Sequence, residues 1–364
     1  AAIWSHIVYS QDGNTTRVYT NGVLASSEDG ITLNTHSGQG IVVGAQWDNE
    51  TAVNEGLSGS LSVSLVRVYD GALSDDEVTT VYNERAESFG RTPVFGPPIV
   101  ELDSRGFPGV GPLSGWTNTG SLGGNFTAEG DPQIEDIDSV RAITLDGTGD
   151  WLVGPIAPDS VTGAFPRTVE AWVKNPTMDD EETVFAWGRR GGPEGSNGSG
   201  SHGAHPTFGA VGHWGAPDIG WNGDQEADIW THVTYTQDGS ETRVYTNGLL
   251  SDSEAVTLNT HTLADDGSTP LPFVVGNQNE PNGTQVDALS GSMSIAVIRV
   301  YDRALGELEV ATNYNADAAG FGRPTFFPGA DDDNDGLADD YELATFGNLD
   351  QTGDGDLDED GLTN

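Results

Sequence analysis

Cysteine is absent from the 364 residues, lysine occurs once, at Lys174, and methionine only twice. The missing cysteine excludes disulfides and thiol chemistry, although it leaves the compartment open because many secreted bacterial chains also lack it. No run of about 18 apolar residues occurs, so no segment reads as a membrane-spanning helix. Basic residues are scarce as well: 14 Lys and Arg stand against 57 Asp and Glu, for a formal net charge of −43. Such a field repels nucleic acid and anionic membrane surfaces, which removes both as partners. With 50 glycines and 18 prolines among abundant Asn, Asp, Ser and Thr, the chain reads as turn-rich and all-β. The glycines keep no three-residue period, so a collagen helix is excluded.

What the sequence does contain is a repeat. Ile3-Trp4-Ser5-His6-Ile7-Val8-Tyr9 returns as Ile229-Trp230-Thr231-His232-Val233-Thr234-Tyr235, and both copies continue to Arg-Val-Tyr-Thr-Asn-Gly, at Arg17–Gly22 and Arg243–Gly248. The offset is 226 residues. Leu57–Asp70 then returns as Leu289–Asp302, now 232 residues on, because the loops of the second copy are longer. A period near 230 residues suits one large β-sandwich. The second copy follows about 130 residues of domain-like sequence, whereas the first copy opens the chain. Residues 1–93 are therefore expected to be the C-terminal half of a sandwich, 94–324 a complete sandwich, and 325–364 a separate acidic segment. Both ends read as cut from a longer array. The missing half is expected either earlier in the same polypeptide or from another subunit by strand donation.

Locally, Trp230–Tyr235 alternates apolar and polar residues as a half-buried strand does. Asp238-Gly239 and Asn247-Gly248 are hairpin turns, the latter of type I′, in which both central residues take positive φ. Asp12-Gly13 and Asn21-Gly22 repeat them in the first copy. Met293–Tyr301 is apolar on both faces over its second half, which predicts a central strand covered by a second sheet. Apolar residues at Leu305, Leu308, Ala311 and Tyr314 have helical spacing, and Leu73–Tyr82 matches them, so each copy is expected to end in a short helix. Gly320–Pro324 and Ser88–Pro93 read as exits from the domains.

These pieces resemble the laminin-G-like, concanavalin A-like jelly-roll domains in the version common in large bacterial surface proteins. The resemblance rests on Ala142–Gly147, Thr168–Val173, the Trp-x-His-Val strand at Trp230, the Tyr-x-Asn-Gly turn at Tyr245 and Arg299-Val300-Tyr301-Asp302-Arg303-Ala304-Leu305. It implies an all-β fold of tandem concanavalin A-like (laminin-G-like) jelly-roll β-sandwiches, followed by a short C-terminal calcium-loop segment. One departure stands out. Such domains often carry an acidic pair after the glycine of the last long strand, whereas Gly291 here is followed by Ser292-Met293-Ser294-Ile295-Ala296, and any ligand role of that pair does not carry over.

The strongest chemical pattern is Asp331–Glu342. Asp331, Asp333 and Asp335 converge on one ion, Gly336 permits the sharp turn, Leu337 offers its carbonyl, and Asp339 and Glu342 fall at positions 9 and 12. A second loop keeps the register with Asp356, Asp358, Asp360, Leu362 and Asn364. Hard oxygen ligands in a flexible loop select calcium. The bland alternative is a solvated acidic linker. The paired loops resemble the calcium-binding repeats of dockerins and thrombospondin type 3 stalks, which implies a stiffened extracellular linker.

A second candidate lies in the loops of 187–221, where Arg189, Arg190, His213, Trp214, Asp218 and Trp221 combine guanidinium forks, indoles and a carboxylate suited to a sugar. The structural alternative is that the tryptophans are core and the Arg–Asp pairs staple loops. His202, His205 and His213 repeat no known metal-ligand spacing. His6 and His232, beside tryptophans on equivalent strands, read as structural histidines. Catalytic sets are missing: Glu135-Asp136-Ile137-Asp138-Ser139, the nearest approach to a glycosidase acid pair, lacks the last acid and reads as a loop, and Gly198-Ser199-Gly200 reads as a Gly/Ser-rich loop. The sequence therefore points to a non-enzymatic, secreted or cell-surface protein, with other copies of itself or neighbouring modules as partners in a fibre, stalk or surface layer. The alternative is a carbohydrate-binding module of a secreted polysaccharide-degrading protein.

Overall fold

Asn247 and Gly248 take φ of 51° and 81°, and Asn21 and Gly22 take 51° and 79°, so both predicted type I′ turns form. Each asparagine also accepts a backbone N–H across its hairpin, from His232 and from His6, at 3.0 Å in both copies. The computed structural model describes residues 3–325 except 32–40, 49–51, 55–60, 84, 92–93, 95, 181, 192–195, 214–217, 224 and 287–288. The chain divides into two compact units, Ala1–Gly96 and a second beginning at Pro97.

The second unit is a sandwich of two antiparallel sheets. The larger, nine-stranded sheet runs Leu249–Glu254, Thr242–Thr246, Trp230–Gln237, Arg167–Lys174, Ser292–Tyr301, Val140–Asp146, Gln133–Ile137 and Gly111–Pro112. Val100–Asp103 continues the line of Val140–Asp146 along the same edge of Ser292–Tyr301. The opposing seven-stranded sheet runs Val211–Gly212, Asn197–Ser201, Thr183–Gly188, Pro272–Val275, Trp151–Ile156, Asn125–Glu129 and Gly115–Thr117. Between them pack Val169, Ala171 and Val173 with Phe185, Trp187, Phe273 and Ile295.

Strand Ser292–Tyr301 is central, as its two apolar faces imply, but only one face meets the second sheet. A bulge opposite Trp172 and Val173 turns Ala296 and Val297 outward. There they are covered by the helix Glu307–Ala318 through Ala311, Tyr314 and Ala318, and by Phe321. The predicted helix thus forms, and it is the lid of the outer face. Phe321 lies in the segment read as a domain exit. It stacks on Trp172 with ring centroids 4.0 Å apart, which makes that segment part of the core.

Two segments read as loops are strands. Gln133–Ile137 pairs with Val140–Asp146 through a turn in which Asp138 and Ser139 take φ of 51° and 71°. Neither residue is glycine, so the usual hairpin signal is absent from the sequence. Asn197–Ser201 is a buried strand whose glycines answer to packing: a Cβ on Gly198 would lie 3.1 Å from the Trp187 ring, and one on Gly200 would lie 3.3 Å from Tyr235 and Val169.

The first unit carries a three-stranded antiparallel sheet of Ile7–Gln11, Thr15–Thr20 and Val23–Asp29, the hairpin Gln46–Asp48 with Ala52–Asn54, and the helix Asp75–Asn83.

Candidate functional site

The loops that follow Thr183–Gly188 and Val211–Gly212 hold the sugar-site candidates. Arg189 and Arg190 donate their backbone N–H groups to the carbonyls of His261 and Asn279, both at 2.9 Å, and their side chains are half-buried. The Arg190 guanidinium lies 3.7 Å from Glu280. Asp218 accepts the His213 backbone N–H at 2.6 Å. The His213 side chain is buried. Trp221 belongs to the intersheet core and donates its indole N–H to Gly209 at 3.1 Å, so its ring is not presented to solvent. Trp214 lies outside the described residues, as do all the calcium-loop positions from Asp331 to Asn364. His202 is buried, and His205 stacks on Phe208 at 3.6 Å. Among the described residues no group of three or more His, Asp or Glu side chains is placed to hold a metal.

A polar cluster that sequence reasoning missed lies under the helix. Glu170 and Trp172 alternate onto the outer face of their strand while Val169, Ala171 and Val173 face the core. Arg299 binds Glu170 at 3.0 Å and Asp317, on the helix, at 2.8 Å, and reaches Glu101 at 3.5 Å. Arg105 adds a second bond to Asp317 at 2.7 Å. Asn313 donates to Glu170 and to the Tyr301 hydroxyl, both at 2.9 Å. Burial works to raise the Asp317 carboxyl, but Arg299 and Arg105 outweigh it and hold it below the usual carboxylate range. A carboxylate within an otherwise apolar strand, Thr-Val-Glu-Ala-Trp-Val, was the available signal, because a buried charge requires a partner.

Glu182, His202 and His232 are buried outside this cluster. Burial pushes the Glu182 carboxyl up to about 6, against the opposing hydrogen bond from the Ser292 N–H at 2.7 Å. Burial lowers His202 and His232 to about 4, so both rings are neutral at pH 7. His232 packs between Trp172 and Tyr314, at 5.2 and 5.7 Å.

A sandwich of two large antiparallel sheets with its outer face closed by a helix defines the class of protein. Residues 1–79 and 146–311 match the model of the concanavalin A-like lectin/glucanases superfamily, and the chain belongs to that family. Solved structures similar to it include the binding domain of botulinum neurotoxin serotype G (16% identity, TM-score 0.41, 62% of this chain and 54% of that one). A mutant Trypanosoma rangeli sialidase displaying trans-sialidase activity is also similar (15%, 0.42, 64% and 35%). So is domain 4 of an extracellular arabinanase from Geobacillus stearothermophilus in complex with arabinotriose (17%, 0.37, 60% and 97%). The match thus spans about half of the toxin domain and about a third of the sialidase. No curated protein matches the sequence.

Proposed function

We propose that this chain is part of an extracellular structural or adhesive protein, built of repeated β-sandwich modules joined by calcium-stabilised linkers and contributing to a fibre, stalk or surface layer. The observation that carries the reading is the pair of acidic loops after the sandwich, Asp331–Glu342 and Asp356–Asn364, which keep one oxygen-ligand register. Asp331, Asp333, Asp335, Leu337, Asp339 and Glu342 would hold one calcium ion, and Asp356, Asp358, Asp360, Leu362 and Asn364 would begin a second site. The buried acids of the sandwich support a scaffold role. Glu170 and Asp317 answer Arg299, Glu309 answers Arg303, and Glu182 caps a backbone amide.

Carbohydrate binding is the second reading, and membership of a family described by lectins and glucanases favours it. It would use Arg189, Arg190, Trp214 and Asp218 at the loop rim, with Trp221 and His213 as buried support. One pair of measurements on the same sample tests both. Electron microscopy of particle length with calcium and with chelator is expected to show loss of length or assembly on chelation. Unchanged particles, together with polysaccharide binding abolished by Arg190→Ala, would replace the structural reading with the carbohydrate one.

A further inference from the structure

The repeat places nearly the same sequence in two surroundings. In the second unit Ile295, Val297, Ile298 and Val300 are at most 1% exposed, on a ten-residue strand bonded along both edges. Their counterparts Val63, Leu65, Val66 and Val68 are 49%, 53%, 52% and 71% exposed and form no strand. Ile7 and Tyr9 are likewise exposed, whereas Val233 and Tyr235 are buried. Strand Trp230–Gln237 bonds to Arg167–Lys174 along its second edge; among the described residues Ile7–Gln11 bonds along one edge only, to Thr15–Thr20.

Yet the first unit's framework is already set. Trp4 meets Phe89 edge-on at 5.5 Å as Trp230 meets Phe321 at 5.2 Å. His6 lies 5.6 Å from Tyr82 as His232 lies 5.7 Å from Tyr314. Arg91 donates to the Trp4 carbonyl at 2.7 Å as Arg323 donates to that of Trp230 at 2.9 Å. In the second unit these three rings, His232, Tyr314 and Phe321, enclose Trp172, and Glu170, two residues earlier, binds Arg299. Arg67 is the counterpart of Arg299.

We infer that the first unit is a docking site for a β-strand carrying Glu-x-Trp, supplied by a further copy of the half-sandwich that residues 98–226 represent. The strand adds antiparallel to the edge of Ile7–Gln11, in the mode of β-augmentation. In the register of the second unit, where Trp172 faces His232 and Glu170 faces Thr234, its tryptophan falls opposite His6 and its glutamate opposite Val8. The tryptophan then sits among His6, Tyr82 and Phe89, and the glutamate reaches Arg67. A second copy of this chain is not the donor, because its own Arg167–Lys174 is already bonded along both edges.

The test is amide hydrogen exchange on the full 364-residue chain and on the same chain extended by a copy of residues 98–226 joined to Ala1, the junction that the 226-residue offset dictates. In the extended chain exchange at 61–69 is expected to slow by about 100-fold or more, toward the protection of 293–301. Replacing the added copy's tryptophan, the counterpart of Trp172, by alanine removes most of that gain, while phenylalanine keeps part of it. Unchanged exchange at 61–69 in the extended chain overturns the proposal. So does protection that grows with concentration in the unextended chain, which would make a second copy the occupant.

Discussion

Trp172 and His232 show what single residues contribute here. The indole fills the space between sheet and helix, and the imidazole beside it stays neutral because burial leaves a charge no solvation. His202 is held in the same way. Both folded values, about 4, lie below the unfolded value of 6.5, so between these limits the unfolded chain binds protons that the folded chain does not. Stability is therefore present above pH 6.5 and lost as pH falls toward 4. Glu182 runs the other way: its value is raised to about 6, so its protonation between 4.5 and 6 favours the folded state and offsets part of the loss. Urea unfolding midpoints of the second unit are expected to drop from pH 7 to pH 4.5, each histidine contributing a slope of up to about 1.4 kcal/mol per pH unit. His232→Phe, which keeps the ring contacts, flattens that slope; an unchanged slope would show that His232 titrates normally.

At the scale of elements, much was legible because turn chemistry and periodicity are local. Asn21-Gly22, Asn247-Gly248, the central strand at Met293–Tyr301 and the terminal helix all follow from residues near in sequence. The rest depended on distant partners. Asn197–Ser201 looks like a loop by composition, yet its glycines exist to admit the Trp187 and Tyr235 rings from other strands. In the candidate sugar site, the loop position of Arg189, Arg190 and Asp218 was legible, whereas the burial of Trp221 depends on how its loop folds back over the core. Gly198→Ala must push the Trp187 ring or the strand, and a loss of about 1–3 kcal/mol in unfolding free energy is expected from overpacking. A neutral result would show that the intersheet space is looser than these contacts imply.

For the whole molecule the governing quantity is the charge of −43, with 13 of the 57 acids gathered between Asp331 and Asp360. So many like charges repel one another and attract cations. Under the structural reading proposed above, calcium in this segment forms the joint between modules, with site affinities of order 10⁻⁴–10⁻³ M as in extracellular calcium modules. The most direct measurement is calorimetric unfolding of the 364-residue chain in 5 mM calcium, in equimolar magnesium and in excess chelator at fixed ionic strength. Calcium alone is expected to stabilise by roughly 1–2 kcal/mol for each occupied site coupled to folding, and chelation to reverse it. Superimposable transitions in all three conditions would contradict it.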